Sequence, residues 1–281
     1  MHTDTGTHIP EPSDTVLIHM CQRAPLIAGS SFGNRIVRLS DVLIAKYGLG
    51  VWSEEAKNQQ YAYAHVDHSV LYVPKVVRYF EDSSQGSRVG YLIMEYICGT
   101  PLDSVDISPL VMTAVAKAIA HLSTIPAPKH QGPGPVGQGV SRGYLWPEEG
   151  AYFNSVEEMQ VWMNRRLAAV SEKRLNLTSH RLAMRHMDLV RRNIILRADS
   201  SICFVDWAYA GFYPELFEIQ YFRDLCPVDP VYFGFLLEHM HQPTLDEEQA
   251  LALLAIPAAV NLRYFFEDAS RFSSCERKDR D

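Results

Sequence analysis

With 281 residues, 47% hydrophobic and 21% charged, the chain has the composition of an ordinary folded protein and room for two modest lobes. That composition excludes a disordered or low-complexity polypeptide. A net charge of −7 argues against a nucleic-acid binder, which would present a basic face to phosphates. The five cysteines (Cys21, Cys98, Cys203, Cys226 and Cys275) include no C-x-x-C pair, so they read as scattered reduced thiols and not as a zinc site or disulfide framework. Met1 to Met20 contain no apolar signal core, and no apolar run approaches the ~18 residues of a membrane span. A cytoplasmic protein is expected.

Residues 1–22 read as a polar leader. Leu26 to Tyr47 then alternate as a strand, a turn and a strand, with the β-rich runs Ile36–Leu39 and Val42–Ala45 and with Gly29 and Gly33 loosening the preceding turn. Ser53-Glu54-Glu55 opens a helix to about Val66, a hydroxyl cap followed by acids in the positive first turn. Val73–Phe80 and Gly90–Tyr96 read as two more strands. Ser108-Pro109 starts a second helix, on which Leu110, Val111, Ala114, Val115, Ala118, Ile119 and Leu122 form an apolar stripe. Pro126 to Gly150 is a Gly/Pro-rich loop, and Ser155-Val156-Glu157-Glu158 is a capping box before Met159, Trp162, Met163 and Leu167. Two short apolar strands, Ile194–Leu196 and Ile202–Val205, flank the turn Arg197–Ser201, and helices dominate from Pro214 onward. Strands first and helices later predict a small sheet lobe beside a helical one.

The chemistry concentrates between Arg185 and Glu218. His186-x-Asp188-x4-Asn193 precedes the apolar hairpin, and Asp206 follows it, thirteen positions on from Asn193. A hairpin returns its two ends to one place, so Asn193 and Asp206 can face a common site, as a magnesium ion held against ATP phosphates requires. Asp188 would orient an acceptor hydroxyl and take its proton. His239-Met240-His241 is not read as a metal pair, because H-x-H on a helix points the rings apart. Arg191 and Arg192 fit phosphate contacts and surface pairing equally well.

HMDLVRRNIIL and FVDWAYAG resemble the H-G-D-L-x-x-x-N and I-D-W-x-x-A-G signatures of the aminoglycoside phosphotransferase family, in the protein-kinase-like superfamily. The resemblance spans about Leu26 to Phe266. It implies an α+β, two-lobed kinase-like fold, with an N-lobe of antiparallel sheet plus one helix and a mainly helical C-lobe. The lobes would be residues 23–97, for nucleotide, and 98–270, for the catalytic loop and acceptor, followed by a polar tail at 271–281. By the same likeness Asp188 is the catalytic aspartate, Asn193 and Asp206 are the magnesium ligands, and His186 orients the loop. Lys46 in VLIAKYG would hold the ATP phosphates, with Glu55 as its helix partner and Glu54 as competitor. Glu95, Tyr96 and Ile97, with Met94, would form the hinge that offers backbone groups to adenine. Two positions depart from the pattern: Met187 stands where glycine is common, and Ala208 where an acid often follows Asp-Trp.

The implied activity is ATP- and Mg²⁺-dependent phosphoryl transfer to a hydroxyl of a small molecule, with no nucleic acid or membrane partner. The alternative is a kinase-like protein that binds nucleotide without turnover. A protein kinase fits poorly, since Pro214-Glu215 follows Asp206 too closely for a long activation segment. Between Glu215 and Asp268 ten acids face two arginines, a net −8. This segment would either receive a cationic acceptor or serve as a solvated acidic surface. Asp224, Asp229, Glu267 and Asp268 are the acids to consider first.

Overall fold

The structure is a computed structural model that describes residues 12–30 and 33–263, with side chains to Pro257. The chain forms two compact units. The first contains residues up to Val105 together with Arg191–Ala208, and the second Asp106–Val190 together with the chain from Tyr209. This division differs from a single cut after Ile97. The hairpin carrying Asn193 and Asp206 belongs to the first unit because it pairs there with a strand at Gly99–Pro101.

The first unit begins with α1 (Asp14–Arg23), where a polar leader was expected. Ser13 Oγ accepts from Val16 N, and the Arg78 guanidinium lies 2.7 Å from Asp14. Only Leu17 and Cys21, one turn apart, are buried on this helix, too few to give an apolar period in the sequence. Next come β1 (Leu26–Gly29), β2 (Arg35–Arg38), β3 (Leu43–Gly48), α2 (Ser53–His65), β4 (Val76–Asp82) and β5 (Val89–Glu95). The five strands make one antiparallel sheet in the order β1-β2-β3-β5-β4, so the expected strand pair before Tyr47 is three strands. Gly29, at φ 92, turns the chain out of β1, a conformation open to glycine at little cost.

Strand alternation decides what each face carries. Ala45, Tyr47, Tyr91 and Ile93 pack with Leu17 and Cys21 of α1. Leu92 and Met94 pack on the other face, with Ala56 of α2 and Val51. Lys46 falls between Ala45 and Tyr47 and so is directed to the α2 side. Ser53 is the first residue of α2 and not its cap; Trp52 takes the cap position without a side-chain bond.

A three-stranded sheet completes this unit: β6 (Gly99–Pro101), β8 (Ile194–Arg197) and β9 (Ile202–Phe204), in the order β6-β8-β9. The expected hairpin is present, with Ile194 opposite Phe204.

The second unit contains α3 (Pro109–Leu122), α4 (Val156–Leu167), β7 (Leu182–Arg185), β10 (Gly211–Pro214), α5 (Glu215–Leu225), α6 (Pro230–His239) and α7 (Leu245–Arg263). Ser108 caps α3 as the sequence predicts, accepting from Val111 N, but Leu110 is 84% exposed and outside the buried stripe. Ser155 caps α4, and Glu158 reaches back to Asn154 N at 2.8 Å, one residue beyond the reciprocal bond of a capping box. Trp146, Phe153, Met159, Met163, Tyr213 and Phe217 fill the core, with Leu251 and Leu254 of α7. β7 and β10 pair antiparallel, Arg185 opposite Gly211. Among the described residues no helix is long and apolar enough to cross a membrane.

Candidate active site

The first unit assembles one set of polar groups. Lys46 Nζ donates to Glu55 Oε1 at 2.7 Å and to Asp206 Oδ1 at 2.8 Å, so a β3 lysine is held between an α2 carboxylate and the carboxylate after β9. Lys46 and Glu55 are 5% and 1% exposed, whereas the Asp206 side chain keeps 35% of its surface open. The helix phase therefore selects Glu55, and Glu54 instead accepts from Ser53 Oγ at 3.3 Å. Burial pushes the Glu55 carboxyl up to about 7, against the pull of Lys46 and with the Asp206 charge adding to the rise. Burial also works against the Lys46 ammonium, but the two carboxylates outweigh it and raise its pKa. The two carboxylates favour the charged form of the ammonium between them, and burial disfavours the charged form of Glu55.

The hairpin places Asn193 and Asp206 at its two open ends. Val205 N donates to the Asn193 carbonyl at 3.0 Å, and Asn193 is buried. Asp206 has φ 66, a left-handed conformation that Asp tolerates better than most residues. Asn58 Nδ2, one turn beyond Glu55 on α2, donates to Trp207 O at 3.2 Å and so ties the helix to the Asp206 loop. The sequence reading missed Asn58; its one signal is a polar residue on the buried face of the helix.

The hinge reading meets a constraint. Glu95 N donates to Lys75 O and Tyr96 N to Val42 O, both at 2.9 Å. Glu95 also accepts from Tyr72 Oη at 2.8 Å, and the Arg38 guanidinium lies 4.3 Å over the Tyr96 ring. The N–H groups of Glu95 and Tyr96 are thus already engaged.

The second unit assembles the other set, around residues 186–189. β7 delivers His186, fully buried, to the start of the loop. Met187 has φ 64, the region that favours glycine, at a cost of order 1–3 kcal/mol for another residue. Glu218 of α5, also fully buried, accepts from His186 N at 3.0 Å and Met187 N at 3.2 Å through Oε1. Its Oε2 lies 3.6 Å from the buried Arg185 guanidinium, which is 3.4 Å from Glu215. Burial raises the Glu218 carboxyl, while Arg185 and the two N–H groups oppose that rise. Tyr221 Oη donates to Asp188 Oδ1 at 2.6 Å, and Tyr232 Oη of α6 donates to Leu189 O at 3.0 Å. Glu218 and Tyr221 were missed; their spacing of three on a helix shows only once the helix and its loop are paired.

The acidic segment is largely committed to structure. Asp229 caps α6 at Tyr232 N, Arg223 donates to both Glu248 oxygens at 2.6 and 2.7 Å, and Glu247 accepts from Thr244 N and pairs with His241. Asp224 accepts from Gln220, while Glu267 and Asp268 lie outside the described residues. His239 and His241 serve separate contacts, His239 at the Phe235 carbonyl and His241 at Glu247.

A family model described as the phosphotransferase enzyme family matches residues 26–254, most of the chain. The chain belongs to that family. Among solved structures it is similar to a thermostable mutant of aminoglycoside phosphotransferase APH(4)-Ia in its apo form, with 16% identity, a TM-score of 0.58 and 85% of each chain covered. A ternary complex of such a mutant with ADP and hygromycin B matches at 15% identity and TM-score 0.57, covering 88% of each chain. The GDP and kanamycin complex of APH(2")-IIia matches at 11% identity and TM-score 0.51, again over 88% of each. At these identities the likeness establishes the kinase-like fold alone. No protein of curated description matches the phosphotransferase in sequence.

Proposed function

We propose that the chain moves the γ-phosphate of ATP to a hydroxyl of a small molecule that also carries an ammonium group. The observation that carries this reading is Lys46 held between Glu55 and Asp206. A buried ammonium held in place by a helix carboxylate is a fixed counter-charge for the α- and β-phosphates. Asp206 and Asn193 offer hard oxygen donors, and no group of three or more His, Cys, Asp or Glu residues among the described ones makes a self-sufficient metal cage. A donor set this sparse suits Mg²⁺, which leaves most positions to phosphate and water. When bound, Mg²⁺ would supply neutralising charge at the phosphates. Asp188, separated from Asn193 by the four residues Leu189 to Arg192, accepts the proton of the attacking hydroxyl and orients its oxygen. The rate enhancement comes mainly from positioning and charge complementarity.

ATP plus Mg²⁺ should raise the melting temperature, since a ligand at 100 times its Kd stabilises the native state by about 2.7 kcal/mol. Lys46→Ala should shrink that shift, and Asp206→Ala should remove its dependence on Mg²⁺. Equal shifts in all three proteins would sink the assignment. GTP belongs in the same series, because the similar structures hold ADP in one case and GDP in another.

The cationic acceptor is supported by the net −8 of the segment from Glu215 and by the aminoglycosides bound in the similar structures. Within the described residues the reading narrows to Asp224, since Asp229 is occupied as a helix cap. Acceptor KM should rise with ionic strength, because salt screens contacts between accessible charges. A best acceptor that is neutral or anionic in a broad screen would contradict the cationic part alone. If no acceptor and no water is phosphorylated while nucleotide still binds, the chain is a nucleotide-binding protein without turnover.

A further inference from the structure

The geometry points to Tyr221 as the residue that positions the Asp188 carboxylate for transfer, a role that rests on reading Asp188 as the proton acceptor. The phenol donates to Asp188 Oδ1 at 2.6 Å, short for an O–H···O bond and typical of a charged acceptor. Tyr221 is only 5% exposed, with its ring against Phe222 and edge-on to Tyr144, so the hydroxyl is delivered from a packed side chain with little freedom.

The setting makes that bond more than incidental packing. The backbone of the 186–189 loop is already secured without Tyr221: Glu218 takes the N–H groups of His186 and Met187, and Tyr232 takes the Leu189 carbonyl. These bonds hold the left-handed turn at Met187 and act on the backbone, whereas the Tyr221 hydroxyl reaches the Asp188 carboxylate itself. Tyr221 lies three residues beyond Glu218 on α5, on the same face of the helix. One helix face therefore grips both the backbone of the loop and the carboxylate it presents. Fixing Oδ1 restricts where the other carboxylate oxygen, the one left to face the acceptor, can lie. Because reacting groups misplaced by about 1 Å can lose ~10²-fold in rate, an orienting bond on this carboxylate acts on kcat more than on binding.

Tyr221→Phe keeps the ring and removes only the hydroxyl. The assay is ADP formation from MgATP with water as acceptor: the bond from Pγ to the bridging oxygen of ADP breaks, a bond from Pγ to the water oxygen forms, and the water proton passes to Asp188. Tyr221→Phe is expected to lower kcat by about tenfold or more, with KM for MgATP and the MgATP-induced thermal shift unchanged. In an Asp188→Asn background the same change should have no further effect on rate, because two residues acting through one carboxylate are not additive. A wild-type kcat in Tyr221→Phe, full additivity with Asp188→Asn, or unfolding on loss of the hydroxyl would each overturn the inference. Wild-type protein that forms no ADP at all, or Asp188→Asn that forms as much as wild type, would overturn the reading of Asp188 and this inference with it.

Discussion

Asp188→Asn is expected to cut phosphoryl transfer by about 10²-fold or more, the scale of a lost general base, while MgATP binding is retained. The substitution suits the geometry. Asparagine keeps an oxygen that can accept from Tyr221, now 2.6 Å from Oδ1, so the loop has no reason to rearrange. What disappears is the negative charge and the capacity to take a proton from the acceptor. The groups proposed to hold nucleotide (Lys46, Glu55, Asn193 and Asp206) all lie in the other compact unit and are untouched. Single-turnover rates with ATP and a hydroxyl acceptor, alongside a thermal shift with MgATP, separate chemistry from binding. Turnover within a few fold of wild type would mean that the H-x-D sequence is a structural likeness without the catalytic role.

The second large effect concerns stability. Glu218→Ala is expected to destabilise the protein by about 3–5 kcal/mol, the range found when one partner of a buried charge pair is removed. Among the described residues Arg185, 1% exposed, would keep Glu215 at 3.4 Å as its ion-pair partner, and the N–H groups of His186 and Met187 would lose their shared acceptor. Those bonds also oppose the tendency of Met187 to leave φ 64. The melting temperature should fall by on the order of 10 °C for a unit of this size, and transfer activity should fall with it. Glu218→Gln retains an acceptor oxygen for both N–H groups while losing the charge opposite Arg185, so its loss should be smaller. A Glu218→Ala protein that melts within about 1 kcal/mol of wild type would show that the loop holds its shape unaided.

The glycine that the family commonly places at 187 has a physical reason here. At φ 64 a glycine is unstrained and a methionine is not. Met187→Gly should therefore relieve strain in the folded state while adding entropy to the unfolded one, and the sign of its stability change reports which is larger. The bonds that Glu218 accepts from the His186 and Met187 N–H groups and that Tyr232 donates to the Leu189 carbonyl secure the backbone on both sides of the position.

Local and periodic features were legible in the sequence because they depend on nearest neighbours. Ser108-Pro109, the 3.6-residue period of α3, the alternation that sends Lys46 away from Ala45 and Tyr47, and the apolar hairpin between Asn193 and Asp206 all follow from short-range rules. The family signatures around Asp188 and Asp206 were legible for the same reason: they are contiguous. Only the tertiary structure decided between Glu54 and Glu55, because the choice turns on which face of α2 meets β3, nine residues away from Lys46. It also decided that residues 14–23 form a helix, whose two buried residues make sense only against the sheet they cover. The engaged N–H groups of Glu95 and Tyr96, the partners of Asp229 and Glu248, and the grip of Glu218 and Tyr221 on residues 186–189 belong to the same class. Each joins groups from separate elements, and a polar side chain in a sequence carries no mark of which distant group will neutralise it.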